Sequence, residues 1–111
     1  MKIAIPTAQG QLAMHFGHCD TFTITTVDQD NTIIGKEEVQ APPHEPGLLP
    51  RWLSERDVDI IIAGGMGQRA QQLFSDRGIK VVVGAPAESI DNIVTNYLEG
   101  KLTTGTNLCD H

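Results

Sequence analysis

The side chains of this sequence best suited to soft-metal chemistry are its four histidines and two cysteines: His15, His18, His44, His111, Cys19 and Cys109. The densest group is His15-Phe16-Gly17-His18-Cys19, which sets two imidazoles and a thiol within five residues. Imidazole and thiolate together suit copper, zinc or iron–sulfur chemistry. The spacing is not that of a standard zinc module, which would show paired cysteines or regularly spaced histidines. His44 stands among prolines in Ala41–Gly47, and the chain ends on Cys109-Asp110-His111, a thiol, a carboxylate and an imidazole in succession. A loop histidine taken alone is an ordinary surface residue, so the weight of these donors depends on which loops the fold brings together.

A second group is Gly64-Gly65-Met66-Gly67-Gln68-Arg69-Ala70. Glycines between a strand and a helix let the backbone approach a ligand, and the bare N–H groups favour an anion. The run is not a dinucleotide fingerprint, since Ala70 stands at the sixth position and the motif comes late in the chain; no Walker lysine follows. Glycines that merely allow close strand-to-helix packing would look the same. Met14 and Met66 add thioethers. Cys19 beside histidines also suggests a nucleophile, but that chemistry needs an orienting group and an oxyanion hole, which neighbours on one loop rarely supply. No carboxylate pair accompanies it for acid–base work. Binding, not catalysis, is the expectation.

The elements that must position these residues follow from hydrophobic period and punctuation. Lys2–Ile5 is a short apolar strand, expected to end at Pro6. Asp20–Val27 and Asn31–Val39 flank the turn-forming Asp28-Gln29-Asp30-Asn31 and predict an antiparallel hairpin. Three prolines keep Ala41–Gly47 irregular. Leu48, Leu49, Trp52 and Leu53 form a helical stripe with Pro50 in its first turn. Asp59–Ala63 and Ile79–Val83 are continuous apolar strands of the kind buried on both faces of a parallel sheet. A helix bearing Ala70, Leu73 and Phe74 lies between them, closed by Gly78. Ile90, Ile93, Val94, Tyr97 and Leu98 mark a last helix stopped by Gly100. The tail, Lys101–His111, is polar and expected to be mobile.

The order β-β-β-α-β-α-β-α, with right-handed crossovers, predicts a five-stranded mixed sheet with helices on both faces, in one domain over residues 1–111. The loops Thr7–Cys19, Ala41–Gly47, Gly64–Gly67 and Gly84–Ala87 then leave from one carboxyl edge, where open α/β sheets bind ligands and helix N-termini point. Three histidines, Cys19, Met14 and Met66 fall in these loops. The tail, about 36 Å long if extended, is able to return there.

Composition narrows the partners. With eight basic residues, scattered singly, and a net charge of −6, the chain lacks the basic face of a nucleic-acid binder. No apolar run approaches a membrane span. The N-terminus lacks a secretory pattern, so the cytoplasm is the expected location, and two cysteines there are expected as thiols.

Ile3-Ala4-Ile5-Pro6, His15-Phe16-Gly17 with Phe22, Ile61–Ala70, Gly78-Ile79-Lys80-Val81 and Tyr97-Leu98-Glu99-Gly100-Lys101-Leu102 together resemble the dinitrogenase iron–molybdenum cofactor-binding family. The resemblance runs in order along nearly the whole chain. It implies a ribonuclease H-like α/β fold and non-catalytic binding of a metal–sulfur cluster. Nitrogenase accessory members carry the iron–molybdenum cofactor or its precursors, and a small stand-alone member of sulfate-reducing bacteria holds a molybdenum–copper sulfide cluster non-covalently. The positions the family implies are His15, Gly17, Gly65, Met66 and Gly67. His18-Cys19 departs from the family pattern and favours copper or another thiophilic metal.

The expected cluster site comprises His15, Gly17, His18, Cys19, Gly65, Met66, Gly67 and Arg69, with His44, Cys109 and His111 as further candidate metal ligands; cluster donor or acceptor proteins are the expected partners. Two other readings stay open: a module binding a nucleotide or a partner protein at the same edge, and a simple soft-metal chaperone. If protonated histidines hold an anionic cluster by charge, binding weakens as pH rises through about 6.5. Direct ligation by neutral histidine reverses that trend.

Overall fold

The computed structural model describes residues 1–8, 11–13, 21–42 and 47–102. Its strands are β1 (Lys2–Ala8), β2 (Gln11–Leu12), β3 (Thr21–Val27), β4 (Ile33–Gln40), β5 (Ile60–Ile62) and β6 (Lys80–Val82). Its helices are α1 (Leu48–Glu55), α2 (Gln68–Asp76) and α3 (Ile90–Leu98). The sheet order is β4-β3-β1-β5-β6, with β2 paired to β1. β1 and β3 are antiparallel, as are β3 and β4, while β1–β5 and β5–β6 are parallel. The mixed sheet and the α/β order agree with the pattern read from the sequence. The two-residue β2 was not anticipated, and it makes the sheet six-stranded.

Pro6 does not end β1; it pairs with Phe22 in mid-strand, and β1 runs on to Ala8. The reason lies in where its missing donor falls. The Pro6 carbonyl accepts from Ala13 N at 2.8 Å, on the side away from β3. In an extended strand a residue's N–H and C=O point the same way, so the absent N–H also faces away from β3. The parallel ladder with β5 has already stopped at Ala4. No β1–β3 ladder bond is lost there.

Local chemistry explains the other boundaries. The Asp28 carboxylate accepts from Asp30 N and Thr32 N, both at 2.9 Å, and Asn31 adopts φ 60°, the left-handed region that asparagine tolerates. This fixes the β3–β4 hairpin. Pro50 sits in the first turn of α1, where no backbone donor is required. Gly78 and Gly100 follow α2 and α3 with φ of 75° and 72°, the conformation that lets glycine stop a helix.

The helices cover both faces. Ala4, Phe22, Ile24, Leu53, Ile61 and Phe74 pack beneath α1 and α2. Ile3, Ile5, Ile60, Ile62, Ile93 and Val94 pack beneath α3, and Leu102 packs against that cluster. β5 therefore divides its isoleucines between two cores, which is why the run shows no polar alternation. Residues 103–111 of the expected tail lie outside the described residues. No helix among the described residues is long and apolar enough to cross a membrane.

Buried hydroxyls occupy the α3 face of β1 and β3. Thr7 Oγ1 donates to Ile5 O at 2.9 Å, so the 2.9 Å contact between the Thr7 and Thr23 hydroxyls must have Thr23 as donor. Thr25 Oγ1 is buried without a hydrogen-bond partner among the described residues. Thr25→Val should therefore raise stability by about 1 kcal/mol, because it removes an unpaired buried polar group of similar shape. Thr7→Val should lower it by about 1 kcal/mol, because it leaves the buried Thr23 hydroxyl without its acceptor. Urea unfolding of both variants checks the opposite signs; equal losses would contradict the assigned hydrogen bonds.

Candidate functional site

Strand directions determine which loops meet. β1, β5 and β6 are mutually parallel, and two antiparallel steps make β4 parallel to β1. Ala8, Gln40, Ile62 and Val82 therefore end at one carboxyl edge, and Thr21, opposite Thr7 and Gln40, begins there. Because each helix returns from this edge, the N-termini of α1, α2 and α3 lie along it. Hydrogen bonds join the loops: Leu12 N donates to Glu88 O at 3.2 Å, Gln11 bridges Ser89, and Gly84 N donates to Gly64 O at 3.0 Å.

The three helix N-termini differ in chemistry. α3 is capped: the Ser89 hydroxyl accepts from Asn92 N at 3.3 Å, and Asp91 lies in the first turn. Both features satisfy donors and offset the positive helix end. α1 begins at Gly47, whose φ of 80° itself calls for glycine. α2 begins at Gly67, with no side-chain cap and no acidic residue in its first turn. Gly67 has φ −65° and ψ 156°, open to any residue, and a Cβ there would meet nothing within 4 Å among the described residues. Neither backbone strain nor crowding requires glycine at this position. An aspartate or serine would stabilise the helix better. Instead the turn keeps open space beside helix-start amides, with the exposed Arg69 in the first turn making no ion pair among the described residues. That combination suits an anionic ligand.

Gly64 and Gly65 are buried behind this turn. Met66 departs from the expectation that its thioether joins the soft donors of the crevice. Its side chain is fully buried in the core with Phe22, Leu53 and Phe74. Gln71 Nε2 donates to Met66 O at 2.9 Å, tying the loop to α2.

His15, Gly17, His18 and Cys19, together with Met14, lie outside the described residues, as do His44, Cys109 and His111. The chain leaves the described residues at Ala13 and re-enters at Thr21, and leaves at Pro42 and re-enters at Gly47; Thr21 and the Gln40 end of β4 belong to the carboxyl edge. Among the described residues no three His, Cys, Asp or Glu side chains form a group able to hold a metal ion.

Two clefts were not foreseen from the sequence. One, of about 350 Å³, lies on the α3 side of the carboxyl edge, lined by Thr7, Thr23, Lys36, Glu38, Ser89 and Asp91, among others. The exposed Lys36 and Asp91 form an ion pair there at 3.2 Å. The only advance signals were the cap-forming Ser89 and the run Lys36-Glu37-Glu38. The other, of about 290 Å³, lies at the opposite edge and includes Lys2, Glu37 and Arg56. Neither is lined by imidazole or thiol among the described residues.

Comparison with known proteins agrees with this architecture. Residues 1–100 match the family model described as dinitrogenase iron-molybdenum cofactor. An uncharacterised protein of Methanocaldococcus jannaschii is 34% identical over 107 residues, covering 92% of this chain and 89% of its own. The crystal structure of PH0822 superposes with a TM-score of 0.86 at 28% identity, covering 94% of each chain. The apo form of the orange protein from Desulfovibrio gigas superposes with a TM-score of 0.72 at 20% identity, covering 96% of this chain and 93% of that one, a likeness of fold. On the match over residues 1–100 and the relationship to the methanogen protein, this chain belongs to the dinitrogenase iron–molybdenum cofactor family.

Proposed function

We propose that this protein binds a preformed metal–sulfur cluster at the carboxyl edge and carries or stores it in the cytoplasm, passing it between donor and acceptor proteins without transforming it. The observation that carries the reading is the contrast between helix starts: α3 is capped by Ser89 and carries Asp91 in its first turn, whereas α2 starts at Gly67 with neither a capping side chain nor a first-turn acid, leaves space for a Cβ there among the described residues, and carries Arg69. Sulfido-metal clusters are usually anionic, and a chain of net charge −6 needs a local exception to hold one. Screening within about 8–10 Å lets such an exception act despite distant acidic residues.

In this reading the amides of Gly65, Met66 and Gly67 and the Arg69 guanidinium face the cluster's sulfides, and His15, His18 and Cys19 supply metal donors. Gly17 lets that loop turn. His44, Cys109 and His111 are further donors. A molybdenum–copper sulfide cluster suits the His18-Cys19 pair better than an iron–molybdenum cluster does, since thiolate and imidazole together hold copper well.

Anaerobic reconstitution with a thiomolybdate and a copper salt should give visible charge-transfer absorption and stoichiometric metal that stays with the protein through gel filtration. Copper or zinc bound equally well without sulfide would instead make this a simple metal chaperone, and saturable nucleotide binding without metal uptake would make it a nucleotide module. Gly67→Asp offers a sharper check. By capping α2 it should leave stability unchanged or raise it by about 0.5–1 kcal/mol, yet retain at least tenfold less cluster, because a carboxylate then occupies the amides. Unimpaired retention would contradict the assignment of the α2 start.

A further inference from the structure

β4 is the sheet edge on the β3 side, with no partner on its outer flank among the described residues. The register identifies its free backbone groups. Val27 N donates to Met1 O at 2.8 Å and Met1 N to Val27 O at 2.9 Å, so the odd residues of β3 bond towards β1. The even ones then bond towards β4, through Phe22–Val39, Ile24–Glu37 and Thr26–Gly35. The N–H and C=O groups of Lys36, Glu38 and Gln40 consequently point outward. Residues 33–38 are all exposed, Ile34 to 63%. An open edge of this kind is a template for another strand.

Charges on an edge strand ordinarily discourage pairing. Here their order selects a register. Two antiparallel, two-fold arrangements of β4 with itself overlap all but one of its residues. With Lys36 on the axis, two ammonium groups meet. With Glu37 on the axis, Lys36 of each copy lies opposite Glu38 of the other, on one face and twice over, and Ile34 lies opposite Gln40. In that register the outward groups of Lys36 and Glu38 exchange backbone hydrogen bonds. The two Glu37 carboxylates meet on the other face, where each lines a cleft with Lys2 and Arg56 of its own chain.

We propose that β4 is a homodimerisation edge, joining two copies of this chain into one continuous sheet with Glu37 at the two-fold axis. The antiparallel arrangement sends the two carboxyl edges to opposite ends, so both candidate sites stay open.

Sedimentation of the full chain from micromolar to sub-millimolar concentration should show a reversible dimer. Lys36→Glu turns two opposite-charge pairs into like-charge pairs and should weaken association about tenfold or more. The double variant Lys36→Glu/Glu38→Lys should restore it. Glu37→Cys, mildly oxidised, should yield a covalent dimer linked through position 37, because residues facing each other in a non-hydrogen-bonded pair are close enough for a disulfide. Circular dichroism melts guard against misfolding, which is not expected from losing the exposed Lys36–Asp91 pair. A chain that stays monomeric with no linkage at position 37, or a dimer indifferent to Lys36→Glu, would overturn the proposal.

Discussion

Hydrogen bonding on both flanks of β1 is the constraint from which the rest of the molecule follows. Antiparallel to β3 on one side and parallel to β5 on the other, β1 gives the two halves of the chain a common polarity. The hairpin half contributes the loop after β1 and the end of β4. The crossover half contributes the turns after β5 and β6. If β5 ran the other way, Gly64–Gly67 would lie at the opposite edge from Ala13 and Thr21. The cores depend on the same pairing: Ala4 and Ile61 face α1 and α2, while Ile3, Ile5 and Ile62 face α3.

At the edge so formed, the fold treats equivalent helix starts differently. Ser89 and Asp91 satisfy the start of α3 from within the chain. The start of α2 forgoes a side-chain cap that one substitution would supply, a gain over glycine of a few tenths of a kcal/mol. Backbone angles that suit any residue, and a Cβ that would meet no neighbour among the described residues, leave glycine unrequired at position 67. The cluster proposed above, which needs close approach to those amides, is the reason proposed for it.

Much of the architecture was legible because the signals were local. The isoleucine run of β5, the stripe from Ile90 to Leu98 and the Asp28–Asn31 turn each carry their own explanation. What escaped the sequence was non-local. Pro6 reads as a strand end until the register shows its missing donor facing away from β3. β2 exists only because Gln11 and Leu12 meet β1 and the residues before α3, more than seventy positions away. Met66 occupies a loop position in the chain but a core position in space, because the turn into α2 directs its side chain inward under Phe22 and Phe74. Of the candidate site, the glycine turn and Arg69 were legible from residue type, whereas the contrast in capping needed the helix boundaries.

The central claim is that an anionic cluster is held at the carboxyl edge against the start of α2. Anomalous diffraction from crystals of the cluster-loaded protein, collected at the molybdenum and copper absorption edges, tests this most directly. Coincident metal peaks are expected beside the amides of Gly65–Gly67, within reach of Arg69. Metal peaks in the cleft near Lys36 and Asp91, or at the far edge by Lys2 and Arg56, would contradict it.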